Sequence, residues 1–259
     1  MQKEIPLFSW PMPLQWKSPS GKILYDLLSA IPATRATPLV LFGSAALQMT
    51  VAPSVLSADV DVFPDVVVGV DSREFPHPLS RTELSDVVKD IGYAKGSASI
   101  YIQVCSESTF EPGPRCWRRA MSENIGKSRC TVPHPYDILF TKLQRYEAKD
   151  LEAFQAVLAT IGQPDEKTLL DEMQSCYRFF IKPSSPRTEE HLPRPFPLGD
   201  LRNNVRKLWV KLYGRQLNIE KEIIQPALEQ RQSDHADFKT GHKALLASIV
   251  AKARSKRTL

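Results

Sequence analysis

Apolar and polar positions along the chain alternate between two periods, one near two residues and one near 3.6. Ile23, Leu24, Leu27, Leu28 and Ile31 recur as on the buried stripe of a helix, which predicts a helix from Gly21 to Ile31, capped by Ser20 and ended by Pro32. Pro38-Leu39-Val40-Leu41-Phe42 is a short apolar run, the pattern of a buried strand, closed by Gly43-Ser44; Ala45 to Met49 then starts a helix. Ala58 to Phe63 alternates strictly between polar and apolar and predicts a second strand, which Val66 to Val70 extends. Ser80-Arg81-Thr82-Glu83 has capping-box spacing and opens a helix from Arg81 to Ile91. Ser99 to Cys105 and Ser128 to Val132 read as a third and a fourth strand.

From Pro135 onward the period is helical, with segments near 136–146, 150–161 and 165–181. Pro183, Pro186, Pro193, Pro195 and Pro197 then fall within residues 183–199, a density that no regular helix or central strand tolerates. Beyond them, Leu201, Val205, Leu208 and Leu212, then Ile219, Ile223 and Leu228, mark two helices, and a third spans roughly His235 to Arg254. The expected architecture is α/β (α+β), a mixed sheet with flanking helices followed by a mostly helical C-terminal region. Its expected organisation is an N-terminal domain over 1–182 that includes an aromatic, proline-rich arm at 1–18, a linker at 183–199, and a basic helical region at 200–259.

Composition narrows the class. At 42% hydrophobic and 24% charged, the chain suits a globular fold rather than a disordered one. No apolar run approaches the ~20 residues that cross a bilayer. The N-terminus lacks a basic stretch followed by an apolar one, so no signal peptide and a cytoplasmic setting are expected. Cys105, Cys116, Cys130 and Cys176 are too few and too widely spaced for a disulfide scaffold, and Cys116, Cys130 and His134 lack the paired spacing of a structural zinc site. Charge is unevenly spread: residues 1–199 carry 21 Lys/Arg against 23 Asp/Glu, whereas 200–259 carry 13 against 6. Such a basic segment suits a polyanion such as RNA, or is a solvated helical surface.

The candidate chemistry lies between the first two strands. Asp59 and Asp61, at i and i+2 of a strand, project from one face while Val60 and Val62 turn to the other. Paired carboxylates suit Mg2+, which takes its remaining oxygens from water and substrate phosphates. Gly43 lets the backbone approach a ligand closely, and the helix start after Ser44 offers N–H groups to phosphate. Alone, an Asp-x-Asp strand is more often a solvated sheet face; the apolar strand and Gly-Ser turn 16 residues upstream shift the balance toward a metal-triphosphate site.

Leu41-Phe42-Gly43-Ser44-Ala45-Ala46-Leu47 followed by Ser57-Ala58-Asp59-Val60-Asp61-Val62 resembles the signature of the DNA polymerase beta-like nucleotidyltransferase superfamily. A second block, Tyr136-Asp137-Ile138-Leu139-Phe140-Thr141-Lys142 through Asp150-Leu151, is similar to its AbiEii-type branch, which includes toxins of toxin–antitoxin systems. The resemblance covers residues 38–160. It implies a nucleotidyltransferase fold and Mg-dependent transfer of a nucleoside monophosphate from an NTP to a hydroxyl, in characterised toxins on tRNA. A neutralising antitoxin protein would be the partner. It further implies that Gly43 and Ser44 hold phosphate oxygens, that Lys142 contacts phosphate, and that Asp150 orients Lys142 or the attacking hydroxyl. Eight positions on one helix differ by about 80° of rotation, so convergence of Lys142 and Asp150 requires a break near Glu147-Ala148. Many superfamily members carry a third carboxylate on a later strand, where this chain has Gln103. That departure opens a second reading, a weakly active or inactive member that binds nucleotide, RNA or a protein. A third is nucleotidylation of a protein hydroxyl.

Other candidates carry blander alternatives. Arg202, Arg206, Lys207, Lys211 and Arg215, interleaved with Trp209 and Tyr213, form either an RNA-binding helix or one whose Trp209 is core. Arg115, Arg118 and Arg119 with Trp117, and the terminal Lys252, Arg254, Lys256 and Arg257, are basic candidates of the same kind. The five histidines show no ligand spacing and suit surface or capping positions.

Overall fold

The computed structural model describes residues 10–65, 74–106, 120–143, 147–175, 177–181 and 198–233. The expected extension at 66–70, most of the 183–199 linker, the Arg115–Arg119 cluster and the helix at 235–254 lie outside these residues.

Five strands form one mixed sheet: β1 Pro38–Phe42, β2 Asp59–Pro64, β3 Tyr101–Val104, β4 Met121–Ile125 and β5 Ser128–Val132, in the order β3-β2-β1-β5-β4. β1 pairs antiparallel with β2 and parallel with β5; β2 pairs parallel with β3, and β4 antiparallel with β5. Alternation assigns the two faces. Leu39, Leu41, Val60, Val62, Ile102, Cys130 and Val132 join the main core, while Val40, Phe42, Phe63 and Cys105 form a separate apolar cluster on the other face. The expected mixed α/β architecture is therefore the observed one.

The helices named from sequence are α1 Pro19–Ala30, α2 Gly43–Gln48, α3 Arg81–Asp90, α4 Pro135–Lys142, α5 Ala148–Ile161, α6 Glu166–Ser175 and α7 Leu198–Tyr213. Two starts illustrate local chemistry. α3 has the full capping box, Ser80 accepting from the Glu83 N–H and Glu83 accepting from the Ser80 N–H. α1 begins earlier than expected: Ser18, not Ser20, is the cap, its Oγ accepting from the Gly21 N–H at 3.1 Å. Pro19 explains the shift, since proline fits the first helical position, where no N–H is needed. Ser20 is instead buried, its N–H donating to Gln48 Oε1 at 3.0 Å.

Downstream of α6 a 3-10 turn spans Tyr177–Phe180, and after α7 a π-helical segment at Ile219–Ile224 continues as α-helix over 225–233. Pro226 lacks the N–H that a regular turn would use there, which fits a widened turn just before it. Leu201, Val205, Leu208 and Trp209 of α7, with Ile219, Ile223 and Ile224, share one continuous core with the sheet's inner face.

The described part of the N-terminal arm, residues 10–18, packs on the body, as Trp10 and Trp16 suggest. The Leu14 N–H and the Trp16 Nε1–H each donate at 2.8 Å to the two oxygens of Glu123 on β4. Glu123→Ala leaves both donors without that acceptor and is expected to destabilise the fold by ~1–3 kcal/mol. Denaturant titration measures the loss, and limited proteolysis shows faster cleavage around Trp16.

Candidate active site

The site forms where β1 ends, β2 begins and α4 gives way to α5. In the β1–β2 ladder Phe42 stands opposite Asp61, so the chain leaving β1 turns alongside the acidic strand. Gly43 makes that turn with φ of +70°, a conformation that L side chains rarely adopt. A Cβ built on Gly43 would lie 2.6 Å from Asp61 Oδ2. Only hydrogen fits there. The carboxylate and the glycine corner are thus in direct contact, with α2 starting at Gly43 itself, two residues earlier than expected. Gly43→Ala is expected to cost ~1–3 kcal/mol through backbone strain and to displace the Asp61 carboxylate. Thermal unfolding measures the first effect, and a crystal structure of the variant the second.

Ser44, Lys142 and Asp150 form the other side. Lys142 Nζ donates to Ser44 Oγ at 3.0 Å and lies 3.2 Å from Asp150 Oδ1. The Lys142 side chain is 9% exposed and that of Asp150 is fully buried. Their convergence follows from the expected break: α4 ends at Lys142, and Glu147 caps α5. Asp150 occupies the third position of α5, where its Oδ2 accepts from the Glu147 N–H at 3.0 Å. One carboxylate therefore caps a helix with one oxygen and pairs with a lysine through the other.

β3 completes the acidic face. Its parallel register sets Tyr101 beside Asp59 and Gln103 beside Asp61. The Tyr101 hydroxyl lies 3.5 Å from Asp59 Oδ2, and Ser57 Oγ lies 3.3 Å from Asp59 Oδ1. Cys105 Sγ lies 3.9 Å from Asp61 Oδ1. The sequence marks only Gln103 here, although the period of two puts Tyr101, Gln103 and Cys105 on one face. Burial first, then the charges of Asp61 and Asp59, push the Cys105 thiol up to about 12, so it stays protonated at neutral pH. Burial, followed by the charges of Asp59 and Asp61, also raises the Tyr101 phenol above its ordinary value.

Whether these residues suit a divalent cation rests on the donor set. Asp59 and Asp61 are partly exposed on one face, and exposed Gln103 holds the third position. Among the described residues no group of three or more His, Cys, Asp or Glu is arranged to hold a metal. Two carboxylates nonetheless fit Mg2+, which characteristically binds through one or two of them with water and substrate phosphates.

The remaining candidates divide. Trp209 is fully buried and donates through Nε1 to Glu166 at 2.9 Å, so it is a core residue, not a stacking platform. Arg202 binds the Phe180 carbonyl and Glu220, and Arg215 pairs with Glu166 and Glu222, which leaves Lys207 and Lys211 as the exposed lysines of α7. His134 caps α4, its Nδ1 accepting from the Tyr136 N–H. Among the described residues no helix is long and apolar enough to cross a membrane. Searches of protein families, curated proteins and solved structures find nothing that matches this chain.

Proposed function

We propose that this chain is a Mg-dependent nucleotidyltransferase that moves a nucleoside monophosphate from an NTP to a hydroxyl acceptor, with tRNA the favoured acceptor. The observation that carries this reading is the contact of Asp61 with the Gly43 corner, beside a serine held by a buried lysine. Its likeness in sequence to AbiEii-type toxins supports a toxin role, with an antitoxin protein as partner, in the cytoplasm where NTPs and tRNA are found.

Asp59 and Asp61 would hold the cation, which when bound offsets charge on the triphosphate and polarises the α-phosphorus. The chain's own groups do the rest. Gly43 keeps the corner bare of side chain, so phosphate oxygens can reach the backbone of the α2 start. Ser44 Oγ and the Lys142 ammonium face the same corner, and Lys142 supplies the positive charge opposite the leaving pyrophosphate. Asp150 fixes Lys142 in place. None of these groups is an evident general base, so the acceptor hydroxyl loses its proton to an Asp59 or Asp61 oxygen or to solvent.

Gln103 favours a second reading, a nucleotide-binding protein with little turnover, because a neutral amide neither ligates Mg2+ well nor takes a proton. Incubation with each labelled NTP, Mg2+ and either total RNA or total protein separates the readings. Label in RNA is the expected result. Label in a protein other than this chain moves the acceptor to a protein hydroxyl, and nucleotide binding without label leaves the second reading standing.

A further inference from the structure

The order of strands gives the site two sides. Ser44 and Lys142 lie at the β1 side of the acidic strand, where the phosphates are proposed to sit, whereas Tyr101 lies on β3, the edge strand beyond it. In an in-line displacement the attacking oxygen approaches from the side opposite the leaving group. An acceptor hydroxyl must therefore come from the β3 side, and a hydroxyl of this chain already stands there: the Tyr101 phenol, 3.5 Å from Asp59 Oδ2. Its position is fixed by backbone pairing, with Tyr101 opposite Asp59 in the ladder and its N–H donating to the Ala58 carbonyl at 3.2 Å. The ring is only partly buried, with the Lys95 ammonium 5.9 Å from its centroid. Ser57 also reaches Asp59, but its hydroxyl is engaged at 2.7 Å with the Asp59 backbone carbonyl, and Ser44 is held by Lys142 on the phosphate side.

We propose that Tyr101 is an internal acceptor, so that the protein nucleotidylates itself at this tyrosine when an NTP is present and no external acceptor fills the β3 side. The inference rests on the nucleotidyltransferase reading. The phenolic oxygen forms a bond to the α-phosphorus, the bond from that phosphorus to the bridging oxygen of the β-phosphate breaks, and pyrophosphate leaves with the electron pair. Asp59 Oδ2 accepts the phenolic proton. The product is a tyrosyl nucleoside monophosphate diester that occupies the acceptor side and blocks further transfer until it is removed.

Two measurements on the full chain test this. Intact mass and peptide mapping after incubation with each NTP and Mg2+ are expected to show one nucleoside monophosphate, placed on Tyr101 and lost in Tyr101→Phe. Separately, acylation of tyrosines by N-acetylimidazole, read by mass, is expected to spare Tyr101 when an α,β-methylene NTP analogue and Mg2+ are bound, without turnover. An adduct on another residue overturns the assignment, as does unchanged acylation of Tyr101 at a concentration where equilibrium dialysis shows the analogue bound. Transfer to RNA or to another protein with Tyr101 unmodified overturns the inference and leaves the nucleotidyltransferase reading intact. Neither transfer to any acceptor nor binding of the analogue overturns both.

Discussion

Replacing Asp59 and Asp61 together by alanine is expected to abolish nucleotide transfer while leaving the fold in place. Both carboxylates are partly exposed on the outer sheet face, and the apolar partners that anchor their strand, Val60 and Val62, are fully buried on the other. Removing two adjacent like charges also relieves a repulsion, so calorimetry is expected to find stability within ~1 kcal/mol of the parent. Transfer is expected to fall by ~1,000-fold or more, about 4 kcal/mol of barrier, because no other described carboxylate stands beside the pair to replace it. Each single replacement is expected to cost nearly as much as the double, since the two act as one unit. Transfer that persists in the double variant removes this site assignment.

Asp150→Ala is expected to have the largest effect on stability. The side chain is fully buried, and its removal leaves the Lys142 ammonium, itself only 9% exposed, without its carboxylate. Breaking a buried pair from one side costs ~3–5 kcal/mol, and the Glu147 N–H loses its cap as well. Asp150→Asn keeps an acceptor for the cap and is expected to lose less. Combining Asp150→Ala with Lys142→Met removes the stranded charge and is expected to restore part of the stability without restoring transfer. Urea titration of the two single variants and the double gives the coupling between them; a coupling near zero would mean that the pair contributes no mutual stabilisation.

Much of this arrangement was legible from residue pattern. β1 is legible end for end, since five consecutive apolar residues between Thr37 and a glycine leave little choice. β2 followed from alternation, and with it the common face of Asp59 and Asp61. The convergence of Lys142 with Asp150 needed both the resemblance and the argument that one helix could not deliver it. β4 is not legible, because Met121-Ser122-Glu123-Asn124-Ile125 is short and polar at its centre, and its pairing with β5 supplies what its own composition does not. The two-residue connection Gly126–Lys127, with Gly126 at φ of +59°, is a hairpin signal that could have found it. Contacts of Tyr101 and Cys105 with the acids depend on the β2–β3 register, which no local pattern encodes.

The clasp between the arm and β4 has a consequence for behaviour at high concentration. β4 is an outer strand of the sheet, and its central residue directs an acid toward the inner layer, the same face as its ladder partner Cys130. An inward-pointing charge is one of the ways in which proteins discourage a foreign strand from adding to an open margin. Here the charge is tolerated because Leu14 and Trp16 supply its donors. Trimming the chain past Trp16 would strand that acid; β4 is then expected to loosen from β5, and a displaced β4 no longer holds its charge at the margin, which favours self-association.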